Sequence, residues 1–213
     1  MDTIQNPKPN IQSRIIYPVI LAVPDKQQKL AGREKVAFLS RHARGALEIS
    51  AQKSGVKLTS LIKGENGEPV PFDGNYWSLT HKTEYVGGVI ASTKIGMDLE
   101  KIRPCSAALF RKTARDSEWS LSTADPNRLF FRYWTSKESV LKASGTGIRD
   151  LSKCRIVKII NHNRLIVNYR NQEWIIEHHD FDGHIASVVK NNFNVKWTIL
   201  PASLNYNTEK QVG

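Results

Sequence analysis

Cysteine is scarce. Cys105 and Cys154 are the whole complement, no C-x-x-C spacing occurs, and neither a disulfide framework nor a zinc site can be built from them. A reducing, cytoplasmic setting is the default that follows. Long hydrophobic runs are lacking too. The longest covers residues 15–23 and is broken by Pro18, against the roughly 20 apolar residues of a helical membrane span, so no membrane partner is expected. Arg14 ahead of that run invites a signal-peptide reading, but the polar lead, the internal proline and the missing small-x-small cleavage site argue against it. With 13 Gly and 9 Pro there is too little of either for a collagenous or disordered chain, and 40% apolar residues suffice for a core. Acid is the charge in short supply: 20 Asp+Glu against 31 Lys+Arg leave a formal +11. Such an excess suits an acidic partner, whether nucleic acid, anionic lipid, a phosphorylated small molecule or an acidic protein. No G-x-S-x-G, P-loop, G-x-G-x-x-G or fixed-period repeat occurs.

What is present reads as two similar halves. Residues 1–13 and 201–213 are polar and read as a loose lead-in and tail. Between them we expect an α/β (α+β) chain divided at 104/105, each half having helical material packed on a small, mainly antiparallel sheet. In the first half, residues 15–23 are β-rich. Residues 30–52 carry Val36, Leu39, Ala43, Leu47 and Ser50 on one helical side and Arg33, Lys35, Arg41, His42 and Arg44 on the other. Gly and Pro make residues 63–75 a loop, and strands are expected at 76–80, 85–91 and 94–100. In the second half, one helix is expected from Pro104 to Ser122. Another opens at Asp125-Pro126 and runs to Ala143, stopping at Gly145. Hairpin strands are expected at 155–160, 164–169, 173–179 and 184–189, with 86–91 and 185–189 as counterparts in the two halves.

Asp98 and Glu100 stand two apart in a strand-like segment, so both point to one face while Met97 and Leu99 point to the other. Two carboxylates on one side repel unless a cation sits between them. On the later helix, Phe130, Trp134, Glu138 and Lys142 recur at i, i+4 and share a stripe, which puts Glu138 and Lys142 at the edge of the core. Asp98, Glu100 and Glu138 together offer hard oxygen ligands without His or Cys. That set suits Mg²⁺ holding substrate phosphates, with Lys142 as a point charge for the same phosphates. His81 closes Trp77-Ser78-Leu79-Thr80-His81 at a strand end.

Three ordered segments carry a resemblance: residues 77–81, Gly96-Met97-Asp98-Leu99-Glu100, and the W-x-x-K-E-x-x-x-K-x-x-G pattern of Trp134, Lys137, Glu138, Lys142 and Gly145. They resemble the signatures of the Sfp-like 4'-phosphopantetheinyl transferases, in a layout covering roughly residues 15–200. The resemblance implies a two-half, pseudo-twofold fold acting as a monomer. It also implies Mg²⁺-dependent transfer of the phosphopantetheine arm of coenzyme A to a serine of an acyl or peptidyl carrier protein, releasing adenosine 3',5'-bisphosphate. By position it assigns Asp98, Glu100 and Glu138 to the metal and Asp98, Glu138 and Lys142 to catalysis, with Glu138 as the base for the serine hydroxyl. His81, Thr80, Lys142, Lys137, Arg41 and Arg44 are assigned to the coenzyme.

Two departures stand out. Gly67-Glu68-Pro69 replaces a common G-K-P, removing a cation for which Lys82 or Lys63 offers a replacement, and Thr80 and Lys82 flank the histidine where serines are common. The +11 charge suits an acidic carrier, with Lys101, Arg103, Arg111 and Lys112 as contacts and Phe110 as an apolar one. Two alternatives are a basic nucleic-acid-binding module, which leaves the three carboxylates unexplained, and a carrier-binding relative without catalysis.

Overall fold

The structure, a computed structural model, describes residues 14–65 and 67–202; the lead at 1–13 and the tail beyond 202 lie outside the described residues. Pro18 splits the first β-rich run into β1 (Ile15–Ile16) and β2 (Val19–Ala22), because proline has no N–H for a continuous ladder. Then follow α1 (Asp25–Gln28), α2 (Gly32–Lys53), β3 (Tyr76–His81), β4 (Tyr85–Ala91) and β5 (Met97–Lys101). The second half contributes α3 (Ala107–Thr113), α4 (Asp116–Trp119), α5 (Pro126–Ser144), a 3-10 turn at Ile148–Lys153, β6 (Arg155–Asn161), β7 (Arg164–Tyr169), β8 (Gln172–Phe181) and β9 (His184–Val189). Two short strands, β10 (Asn194–Val195) and β11 (Thr198–Leu200), complete the described chain. No helix among the described residues is long and apolar enough to cross a membrane.

A four-stranded sheet in the order β11-β2-β4-β3 lies under α2, and a five-stranded antiparallel sheet in the order β5-β9-β8-β7-β6 lies under α5. A parallel β1–β10 pair links the ends of the chain. The two expected halves exchange strands. β5 leaves the first half and pairs with β9, Asp98 opposite Ser187, while β11 returns to pair with β2. A division at residue 104 therefore does not follow sheet membership. The reason is apolar: Ile95, Met97 and Leu99 are buried in the large core shared with α5 and the second sheet.

Two helical expectations change. Val36 is 60% exposed, and no residue of α2 before Leu39 is buried, so the first turn overhangs the sheet. The helix expected from 104 to 122 breaks into α3 and α4, where Ala114 is extended and the Arg115 N–H donates to the Glu118 carboxylate. That acid ties Arg115 locally and starts a new turn instead of continuing the old one. By contrast α5 has the expected caps. Asp125 accepts from the Arg128 N–H, Pro126 opens the helix, and Gly145 closes it at φ 71°.

Gly96 lets α5 approach the start of β5. A Cβ there would lie 1.8 Å from the Ser139 carbonyl oxygen and 2.7 Å from the Ala143 nitrogen, both backbone atoms. Gly96→Ala should push α5 away and lower stability by about 1–3 kcal/mol, read as a lower denaturant midpoint; an unchanged midpoint would contradict this packing.

A buried polar chain also crosses the α5–sheet interface. The Thr135 hydroxyl lies 2.8 Å from the Phe131 carbonyl and 2.6 Å from Ser187 Oγ, which lies 2.9 Å from His178 Nδ1. Burial first, then the charges of Arg132 and Arg128, hold His178 well below 6.5, so it is neutral in the fold. The unfolded chain protonates this residue near 6.5 and the folded one does not. Its contribution to stability is therefore complete above that pH and lost as pH falls below it, by about 1.4 kcal/mol per pH unit. Urea unfolding at pH 7, 6 and 5 should show this slope in the parent and a shallower one in His178→Gln; parallel slopes would overturn the assignment.

Candidate functional site

β5 and α5 cross so that Asp98 meets Lys142. Lys142 Nζ donates to Asp98 Oδ1 at 2.8 Å and to the Met97 carbonyl at 3.0 Å, and the Thr80 hydroxyl donates to the same Oδ1 at 3.0 Å. Asp98 is 4% exposed, and its Oδ2 is buried without a hydrogen-bond partner. Glu100, on the same face of β5, pairs with Lys82 at 2.6 Å. Glu138 lies one helical turn before Lys142, half-buried, with no hydrogen bond or ion pair to any described residue.

The charges are tightly coupled. Burial first, then the Asp98 charge, raises the carboxyl of Glu138 above its ordinary range. Burial also raises Glu100, against the pull of Lys82. Lys82 is raised although burial alone would lower it, because Glu100 accepts its hydrogen bond. His81, at the surface end of β3, is lowered by desolvation and then by Lys142, Lys82 and Lys63, and so stays neutral near pH 7. Three carboxylates thus face two lysines.

Among the described residues no set of three His, Cys, Asp or Glu is gathered as a ready metal cage. The donors nonetheless fit a hard cation that shares its coordination with substrate. They are all oxygen, one carboxylate oxygen of Asp98 is buried and unpartnered, and the charges of Asp98, Glu100 and Glu138 disfavour one another. Mg²⁺ completed by phosphate oxygens and water is the match by donor chemistry.

The other expected residues are placed less uniformly. Thr80 is buried with its hydroxyl on Asp98, so it positions that carboxylate and does not face a coenzyme. Lys137 is 0% exposed and donates to Glu118 at 2.6 Å and to the Thr113 carbonyl at 2.8 Å, so it cannot reach a coenzyme. One residue along α5 turns the side chain by about 100°, which sends Lys137 into the core while Glu138 stays at its edge. Lys82 pairs with Glu100 at 2.6 Å, so its charge is shared with that carboxylate. Arg41 packs over Phe38 and lines a pocket between α2 and β2 that includes none of Asp98, Glu100 and Glu138, and Arg44 is exposed on α2. On the expected partner face, Arg103, Arg111 and Lys112 are exposed, and Lys101 pairs with Glu84. Phe110 is half-buried, 5.1 Å from the Trp119 and Phe130 rings, so it belongs largely to an aromatic cluster, with one edge in a surface cleft.

Glu138 and Lys142 open into a cleft of about 600 Å³, whose other walls include Glu68, Gly145, Arg149 and Asp150. Sequence reading missed its basic residues Arg149, Lys153 and Arg170, which no periodic pattern marks. It also missed Glu118, whose one legible signal was its position three residues after Arg115.

The family model described as the 4'-phosphopantetheinyl transferase superfamily matches residues 94–194. Over 102 residues the chain is 34% identical to 4'-phosphopantetheinyl transferase HetI of Nostoc sp., covering 42% of this chain and 43% of that protein. It is 33% identical over 91 residues to 4'-phosphopantetheinyl transferase gsp of Aneurinibacillus migulanus, covering 40% and 38%. With 4'-phosphopantetheinyl transferase ffp of Bacillus subtilis it shares 31% over 77 residues, or 34% of each chain. The matched stretch spans less than half the length of each of these relatives.

Proposed function

We propose, from the match of residues 94–194 to the model of the 4'-phosphopantetheinyl transferase superfamily, that the chain transfers the phosphopantetheine arm of coenzyme A to a serine of an acyl or peptidyl carrier protein. The observation that carries this reading is the crossing of β5 and α5, which seats Lys142 on Asp98 and leaves Glu138 at the mouth of a cleft. In the reaction the serine oxygen attacks the phosphorus that bears the arm. The anhydride P–O bond breaks, and adenosine 3',5'-bisphosphate leaves with that oxygen. The serine proton passes to Glu138, whose carboxyl burial and then the Asp98 charge raise above its ordinary range, which strengthens it as a base. Lys142 neutralises phosphate charge, held in place by Asp98 and the Met97 carbonyl. Thr80 fixes the Asp98 rotamer from below. Asp98, Glu100 and Glu138 would hold Mg²⁺, which supplies charge stabilisation to the phosphates as the anhydride opens.

The same reading extends to the partner and setting. The exposed Arg103, Arg111 and Lys112 favour encounter with an acidic carrier, and the resemblance places the reaction in a cytoplasmic monomer. Intact-mass spectrometry tests the proposal. An apo acyl carrier protein and an apo peptidyl carrier domain, each incubated with this protein, coenzyme A and Mg²⁺, should gain the mass of one phosphopantetheine group, and EDTA should abolish the gain. No gain on either carrier, together with no binding of coenzyme A, would sink it.

A further inference from the structure

Four cations line the cleft that holds Glu138: Lys142, Arg149, Lys153 and Arg170. Three are committed. Lys142 is on Asp98 at 2.8 Å, while Lys153 and Arg170 are both on Asp150, at 2.7 and 3.3 Å. Asp150 is itself fixed by the Tyr169 hydroxyl at 2.6 Å, and its carboxyl is held down at about 2 by Lys153 and Tyr169. Arg149 is different: it makes no hydrogen bond or ion pair to any described residue. The chain places it there through Gly147, at φ 70°, a left-handed conformation that lets the 3-10 turn begin directly beyond the end of α5. A guanidinium carries five donors in a planar fork that matches the oxygens of a phosphate. The charges of Lys142, Lys153 and Arg170 are offset by their carboxylate partners Asp98 and Asp150, which leaves the Arg149 fork as the lining cation still open to an anion among the described residues.

We propose that Arg149 is a phosphate-binding residue of this cleft, gripping a phosphate of the coenzyme beyond the reach of Lys142. The proposal rests on the coenzyme A reading above. Titration calorimetry on the full chain, parent and Arg149→Ala, with coenzyme A, dephospho-coenzyme A and adenosine 3',5'-bisphosphate tests it without needing turnover. Binding of coenzyme A should weaken about tenfold in the variant, with an unchanged thermal midpoint, and Arg149→Lys should recover part of the loss. Loss confined to coenzyme A and the bisphosphate places the guanidinium on the 3'-phosphate. Loss with dephospho-coenzyme A as well places it on the diphosphate. Equal affinities of parent and variant for all three ligands would overturn the assignment of Arg149 while leaving the transferase reading intact. A parent that binds none of the three would overturn both.

Discussion

Glu138→Gln is expected to lose about 10²- to 10⁴-fold in phosphopantetheine transfer, the span that removal of a positioned general base produces. The fold should not suffer. Glu138 makes no hydrogen bond or ion pair to a described residue, and burial and the Asp98 charge both disfavour its ionised form, so a neutral amide of the same shape removes a penalty and no contact. The measurement is single-turnover transfer to an apo carrier at saturating coenzyme A, beside thermal unfolding and coenzyme binding. Slow transfer with an undiminished midpoint, near-parental coenzyme binding and an unchanged Mg²⁺ concentration dependence supports Glu138 as the proton acceptor, whereas rescue by higher Mg²⁺ would make it a metal ligand instead. Transfer within threefold of the parent would remove it from that role and leave a carboxylate that only shapes the cleft.

That the place of Glu138 at the edge of the core is legible in the chain, and the partners of its neighbours are not, follows from what each depends on. The i, i+4 stripe of Phe130, Trp134, Glu138 and Lys142 is a property of one helix; it leaves Phe130 inside and the charged pair at the core's edge, as the pattern predicted, with Trp134 only half-buried. The Asp98 and Glu100 pair is likewise local to one strand. Nothing local says that β5 crosses into the other half's sheet. That depends on where Met97 and Leu99 find a core and on a glycine at 96 that admits α5. Thr80 and Lys82 flank a histidine, so the resemblance placed Thr80 at the coenzyme, whereas the tertiary fold turns Thr80 to Asp98 and Lys82 to Glu100. Lys137 beside Glu138 invites the same assignment, yet the helical rotation separating neighbours puts one in the core and the other in the cleft.

The largest stability effect is expected where Lys137 went. Glu118 is 3% exposed and accepts from Lys137 Nζ at 2.6 Å, Arg155 Nη1 at 3.1 Å, and the backbone N–H groups of Arg115 and Ile156 at 3.1 and 2.9 Å. Through these bonds one carboxylate joins α4, α5 and β6. Glu118→Leu leaves Lys137 buried with the Thr113 carbonyl as its remaining acceptor, and two backbone N–H groups lose theirs. Breaking a buried pair from one side costs about 3–5 kcal/mol. Lys137→Met should cost less, because Glu118 retains Arg155 and both backbone donors. Glu118→Leu with Lys137→Met should recover part of the loss of Glu118→Leu alone, since no uncompensated charge is then left inside. Urea midpoints of the parent, both single variants and the double variant give the coupling directly; additive losses would mean that the two side chains do not share one bond. The folded Lys137→Met protein also decides between the two roles offered for this lysine. Parental affinity for coenzyme A accords with a residue that braces α5 from within, and a tenfold loss would return Lys137 to the coenzyme site.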